Sequence, residues 1–219
     1  MAGLTDYISN DFKPLETVTN VADAAAFFEE VNFSHFPVID GGIYIGSISG
    51  DDLGTFDADK TISDYRYALE GFFARASMIW MDVLEVFAHN HTNVVPVLDD
   101  QNRYVGYYEV ADIIRCFNET PFLKEPGAII IVEKGASDYS ISQIVQIVES
   151  NNGKVLGLFI SEASPDKVQV TIKLSIGGMN EILQTFRRYN YEIVSEHQED
   201  NYLNSLRERS DYLDKYLNI

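Results

Sequence analysis

Two stretches of seven residues carry the residue types best suited to holding a ligand. Gly46-Ser47-Ile48-Ser49-Gly50-Asp51-Asp52 and Gly106-Tyr107-Tyr108-Glu109-Val110-Ala111-Asp112 each place a glycine six residues before an aspartate. A glycine at a strand end lets a ligand approach the backbone closely. Ser49 then falls at the start of a helical run, where open N–H groups and the macrodipole attract an anion and the hydroxyl adds a donor. One turn on, Asp52 offers two carboxylate oxygens to the vicinal hydroxyls of a ribose. The chemistry of the corner is therefore that of a sugar phosphate. Ser49-x-x-Asp52 is equally a capping box, in which the two side chains satisfy each other's backbone donors. Capping alone leaves Asp112 unexplained, since Glu109 is a poor N-cap. Common ancestry of the two copies would account for it.

The copies differ where it matters. Glu109 puts a carboxylate where the first copy has the Ser49 hydroxyl, and a negative charge there opposes phosphate by on the order of 1 kcal/mol or more. Two unequal sites are expected, the first taking a phosphorylated ligand and the second only its nucleoside part, or nothing.

The duplication extends to the elements that position these corners. Phe36-Pro37-Val38-Ile39-Asp40 is echoed by Val95-Pro96-Val97-Leu98-Asp99, and the register is one residue closer because Gly41-Gly42 is a shorter turn than Asp100-Gln101-Asn102. Each copy reads as strand, turn, strand, helix. Ahead of them, residues 4–12 read as a lead-in helix broken at Pro14, and Val21 to Val31 as a helix that Asn20 can cap. Between the copies, Thr61 to Asp64 opens like a capping signal into a helical tract through Arg75, and Ser77 starts the second copy's helix.

A paired pattern of apolar-Pro-Val-apolar-Asp, short turn, strand and Gly-x-x-Ser/Thr-x-x-Asp resembles the CBS domain, and two in tandem resemble a Bateman module. Gly46, Ser49 and Asp52 fit that family's closing motif, and the second copy keeps Gly106 and Asp112. The resemblance implies a regulatory module that binds an adenosine-containing nucleotide of the AMP, ADP or ATP class. It implies ligand contacts at Pro37, Ser49, Asp52 and Asp112, a phosphate-facing His35 whose counterpart is Val94, and backbone contacts to adenine from Thr17 and Val18. A histidine beside Phe36 also reads as a core or rim residue.

From Pro121 the rhythm changes. Residues 121–126 read as a linker between prolines. Strand 127–134, a helix opened by Ser140-Ile141-Ser142-Gln143, strands 154–163 and 168–176 around Ser164-Pro165-Asp166-Lys167, a helix 179–189 and a strand 191–195 give β-α-β-β-α-β. This order is the ferredoxin-like split. It resembles an ACT domain, although Ser137-Asp138-Tyr139-Ser140 stands where that family places a glycine against a bound amino acid. The fold class is thus mixed, α+β with α/β character: CBS repeats over 1–60 and 61–120, a linker at 121–126, an ACT-like domain over 127–198 and a C-terminal helix over 199–219. The two-part order resembles the acetoin-utilisation (AcuB-type) CBS proteins, and it implies a homodimer that acts on a regulated partner protein.

Charge and composition exclude several classes. Of a net −18, residues 1–120 contribute 6 basic and 20 acidic residues, or −14, a surface that repels nucleic acid. Apolar runs are strand-sized, so no membrane partner is expected. The acidic N-terminus and the single Cys116 point to the cytoplasm. His89-x-His91 points its imidazoles in different directions on a helix and finds no third metal ligand. No base accompanies Cys116, so no catalytic activity and no required cofactor are expected. The alternatives are an interaction module with vestigial nucleotide corners, or amino-acid sensing at the ACT-like corner.

Overall fold

The computed structural model describes residues 4–175 and 177–194. The expected C-terminal helix over 199–219 lies outside the described residues. The chain forms two units that divide between Asn118 and Glu119.

In the first unit β1 (Leu15–Glu16), α1 (Val21–Glu30), β2 (His35–Asp40), β3 (Ile43–Ser49) and α2 (Gly50–Leu53) make one repeat. The second repeat runs β4 (Ala74–Arg75), α3 (Trp80–His89), β5 (Val94–Leu98), β6 (Tyr104–Glu109) and α4 (Val110–Asn118). Each has a three-stranded sheet, the short strand parallel to the middle one and the last antiparallel. Phe36, Val38 and Ile48 are fully buried in the first copy, and Val95, Val97 and Tyr108 in the second. Each such side chain removed from water is worth about 1.5–3 kcal/mol, so these Pro-centred runs hold the repeats together.

The repeats interlock. Tyr107 and Val94 belong to the core of the first repeat, while Leu4, Tyr7 and Ile8 pack on that of the second. Residues 4–12 do not form the expected helix; a single 3-10 turn, Leu4–Tyr7, ends before Ser9, which pairs with β6. Ser9 N–H donates to Tyr107 O (2.8 Å) and Tyr107 N–H to Ser9 O (3.0 Å). The same happens in mirror: Ser47 and Glu70 exchange two bonds of 2.8 Å. For this reason the helical tract expected over 65–75 stops at Ala68, and the chain runs extended into β4. Each lead-in segment thus lies on the last strand of the other repeat. Gly46 (φ +147°) and Gly106 (φ +159°) make room for it, since a β-carbon would stand 2.7 Å from Leu69 Cβ or 2.4 Å from Ile8 Cγ2.

In the second unit α5 (Pro121–Lys124) occupies the stretch read as a linker, its Pro at the first turn. It is followed by β7 (Ala128–Gly135), α6 (Ile141–Ser150), β8 (Val155–Ala163), β9 (Lys167–Leu174), α7 (Met179–Arg188) and β10 (Glu192–Ile193). The sheet order β10-β7-β9-β8 is the ferredoxin-like arrangement. Ile130, Val132, Val170 and Ile172 face Ile144, Ile147, Val148, Ile182 and Phe186 of the helices. Ser140 caps α6 by accepting from Gln143 N–H (3.4 Å).

Candidate functional site

The first corner sits where β2 and β3 end together, His35 opposite Ser49. Ser49 is buried at the N-cap of α2, its Oγ accepting from Asp51 N–H (3.2 Å). The bonded amide is that of Asp51, not Asp52, so the reciprocal capping box does not form. Gly50 N–H donates to Ser34 O (2.9 Å). With those two amides satisfied and a helix of four residues, the anion-attracting helix start expected here is not available. The hydroxyl proton of Ser49 remains a donor. Gly46, expected to admit a ligand to the backbone, instead admits Leu69 and Glu70 of the chain itself.

Asp52 is half-buried, and no donor to its carboxylate is found among the described residues. Its carbonyl accepts from the Thr55 hydroxyl (2.8 Å), which ends the helix early and leaves the side chain at the corner. His35, opposite Ser49, is occupied, its Nδ1 3.0 Å from Ser34 Oγ and its Nε2 3.2 Å from Glu70 Oε1. Pro37 is buried at the centre of β2, opposite Ser47. Thr17 is buried at the end of β1, where its N–H donates to Ile39 O (3.2 Å) and its carbonyl accepts from Ser63 N–H (2.9 Å). Those backbone groups are therefore committed to the fold. Val18 is 77% exposed. Ile39, beside Thr17, lies four residues along β2 from His35, about 13 Å away. The structure thus gathers His35, Ser49 and Asp52 at one end of the sheet and Thr17 and Val18 towards the other.

The second corner is built alike and charged differently. Val94 stands opposite Glu109, and Val110 N–H donates to Asn93 O (3.1 Å). Asp112 is paired with Arg115 (3.1 Å). Burial first, then the carboxylates of Asp112 and Asp11, hold Glu109 above the usual carboxylate range. An anion here meets the carboxylates of Glu109 and Asp11, and the carboxylate of Asp112 is already engaged by Arg115.

Between the corners, the equivalent residues Ser34 and Asn93 meet. Asn93 Oδ1 accepts from Ser34 N–H (2.8 Å), and Asn93 Nδ2 donates to Asn32 O (2.6 Å). Glu70 and Tyr44 were not singled out in the sequence. Glu70 holds His35, and Tyr44 donates its hydroxyl to Phe72 O (2.7 Å), burial pushing that phenol up to about 12. Their common signal is Gly46, since a strand glycine marks a backbone approach without naming the approaching segment.

In the second unit the proposed amino-acid corner is closed. Asp138 and Tyr139 N–H donate to Gly135 O, Ala136 N–H to Asp166 O, and Ser140 N–H to the Tyr191 hydroxyl (3.2 Å). Main-chain donors that would grip a carboxylate are thereby engaged. No group of three or more His, Cys, Asp or Glu side chains able to hold a metal ion occurs among the described residues. Nor is any described helix long and apolar enough to cross a membrane.

Comparison with known proteins adds the family of the first unit. A CBS domain pair/ACT domain protein from Thermotoga maritima is 19% identical, with 53% of this chain and 97% of that chain covered and a TM-score of 0.49. CBSX2 in complex with AMP is 19% identical, with 52% and 95% covered and a TM-score of 0.44. The cystathionine beta-synthase pair domain of a putative Mg2+ transporter from Shewanella oneidensis is 18% identical, with 52% and 68% covered and a TM-score of 0.46. No curated protein matches the sequence. The CBS domain family matches residues 4–55 and again residues 72–119, so the chain carries two CBS domains in tandem.

Proposed function

We propose that the tandem CBS unit is a non-enzymatic regulatory module that binds one adenosine-containing nucleotide of the AMP, ADP or ATP class at its first corner. The observation that carries this reading is the contrast between the two aspartates. Asp52 presents a carboxylate without a donor among the described residues, whereas Asp112 is neutralised by Arg115 and crowded by Glu109. In this reading Asp52 accepts from the ribose hydroxyls and Ser49 donates to phosphate. His35 joins only when it exchanges Glu70 for the ligand. Thr17 and Val18 contribute packing and outward groups near the adenine, and Pro37 fixes the strand behind it. Nucleotides bound to CBS proteins of known structure, AMP on CBSX2 and ATP on the cytosolic domain of the Mg2+ channel MgtE, suggest the ligand class. A ligand would shift the repeats between arrangements only as far as it prefers one of them. The second unit, ACT-like in topology, would serve assembly.

A second reading has an observation of its own. The committed amides of Gly50 and Asp51 and the occupied His35 fit an interaction module with vestigial corners. A thermal-shift panel of AMP, ADP, ATP, S-adenosylmethionine and NAD separates the two. Ligand at a hundred times its dissociation constant adds about 2.7 kcal/mol of stability, while a flat response to the whole panel supports the interaction module.

A further inference from the structure

Each corner has an acid beside it, but the acid has changed places. Ser47 pairs with Glu70 and its counterpart Tyr107 with Ser9, so the lead-in residue next to the first corner is Glu70 and the one next to the second is Ser9. At the strand end the order is reversed, with Ser49 in the first copy and Glu109 in the second. The first corner therefore has its hydroxyl on β3 and its carboxylate on the lead-in. The second has its carboxylate on β6 and its hydroxyl on the lead-in.

Glu70 is fixed in this place. Its main chain exchanges two bonds of 2.8 Å with Ser47, and the Tyr44 hydroxyl reaches its carbonyl (3.3 Å) and that of Phe72 (2.7 Å). The side chain can swing, but its backbone stays on β3, beside a residue two positions from Ser49. The carboxylate meets Nε2 of His35 at 3.2 Å. His35 lies opposite Ser49, and facing side chains of an antiparallel pair start about 5 Å apart. Whatever accepts from the Ser49 hydroxyl thus lies within the field of Glu70. Tyr44 registers the same charge: its phenol is raised first by burial, against its bonds to Ser47 and Phe72, and further by Glu70.

Cations that could offset this acid are engaged with groups of their own. Among the Lys and Arg residues of 1–120, Arg66 is paired with Asp40, Arg103 with Asp99 and Arg115 with Asp112. Arg75 donates to Asp99 O and Asn102 Oδ1, and Lys60 stands over the Tyr65 ring. A chain of phosphates would enter a corner whose basic neighbour, His35, is shared with a carboxylate.

We propose that Glu70 is a specificity-determining residue of the first corner, admitting one phosphate and opposing a chain of three, so that AMP is selected over ATP. The inference rests on the nucleotide reading of that corner and adds discrimination within the class. Metal-free ATP carries about two more negative charges than AMP, and two charges about 6 Å from one carboxylate weaken binding about tenfold even in the dielectric of bulk water.

Calorimetric titration of the full chain at low salt with AMP and with ATP, each without and with Mg2+, tests it on the native chain, Glu70→Gln and Asp52→Ala. The native chain should bind AMP at least tenfold more tightly than metal-free ATP, and Mg2+ should narrow that gap by neutralising phosphate charge. Glu70→Gln keeps the length of the side chain and an oxygen to accept from His35 Nε2, so it removes the charge alone. ATP should then tighten more than AMP, and the ratio of their dissociation constants should fall at least threefold. A purely structural role for Glu70 would move both nucleotides together. ATP bound as tightly as AMP by the native chain, or a ratio unchanged in Glu70→Gln, would overturn the proposal. If Asp52→Ala weakens both nucleotides while the native chain fails to discriminate, the corner stands and the role of Glu70 falls. If neither nucleotide binds, or Asp52→Ala alters nothing, the nucleotide reading falls and this inference with it.

Discussion

Replacing Gly106 by alanine tests the interlocking of the repeats. The new β-carbon would stand 2.4 Å from Ile8 Cγ2, 2.6 Å from Ser9 O and 2.9 Å from Asn10 Nδ2, and all three neighbours belong to the lead-in segment, which has no room to retreat while its Ser9 is bonded to β6. The lead-in must therefore lift off β6. Lifting it breaks the two Ser9–Tyr107 bonds, at about 1 kcal/mol each, and uncovers apolar contacts of Leu4, Tyr7 and Ile8 worth about 1–2 kcal/mol more. A positive φ adds about 1 kcal/mol for a residue with a β-carbon. The full-length variant should lose about 4 kcal/mol. In a chain lacking residues 1–10 the same substitution should lose only the backbone part, about 1 kcal/mol, a coupling of about 3 kcal/mol between glycine and lead-in. Trp80, the single tryptophan, stacks on Phe117 at 5.3 Å within the first unit, so urea unfolding followed by its fluorescence reads that unit alone. Equal losses in the two backgrounds, or a full-length loss below about 1 kcal/mol, would refute the reasoning.

Other substitutions probe the same unit and its neighbour. Asn93→Ala strips Ser34 N–H of its acceptor at the meeting point of the repeats and should cost about 2–3 kcal/mol by the same fluorescence measurement, against little change for Gln101→Ala in an exposed turn. Tyr191→Phe leaves Ser140 N–H without the phenol oxygen and should lower the second unit's melting point by the equivalent of about 1 kcal/mol in calorimetry. Glu109 keeps its proton to a higher pH folded than unfolded, so its contribution to stability is present at acid pH and declines as pH rises from the ordinary value of 4.5 through the raised one. Glu109→Gln should therefore be more stable than the native chain at pH 7 and converge with it below about pH 4, and a gap that persists in acid would contradict the assignment.

Much of the fold was legible because it is written in local pattern. The Pro-centred apolar runs, the alternation of Val168, Val170, Ile172 and Leu174, and Ser140 ahead of α6 all report on neighbours a few residues away, and each element formed within a residue or two of expectation. What escaped was non-local. Nothing in the side chains of residues 4–12 or 65–75 says that their backbone will pair with a strand of the other repeat, and helical composition there was overruled by bonds to Tyr107 and Ser47. At the corner, residue types were readable but their occupancy was not. Ser49 and His35 carry suitable chemistry, yet whether Gly50 N–H or His35 Nε2 is already engaged depends on Ser34 and Glu70, which fold there from elsewhere. The charge contrast survived the transfer from sequence to structure, since Glu109 and Asp112 are intrinsic to their own turn.

The most direct measurement is calorimetric titration of the full chain with AMP, ADP and ATP, repeated on Asp52→Ala and Asp112→Ala. One nucleotide should bind per chain, with the Asp52→Ala affinity ten- to a hundredfold weaker, or about 1.4–2.7 kcal/mol, and the Asp112→Ala affinity unchanged. Two equal sites, or a dissociation constant indifferent to Asp52, would contradict the account.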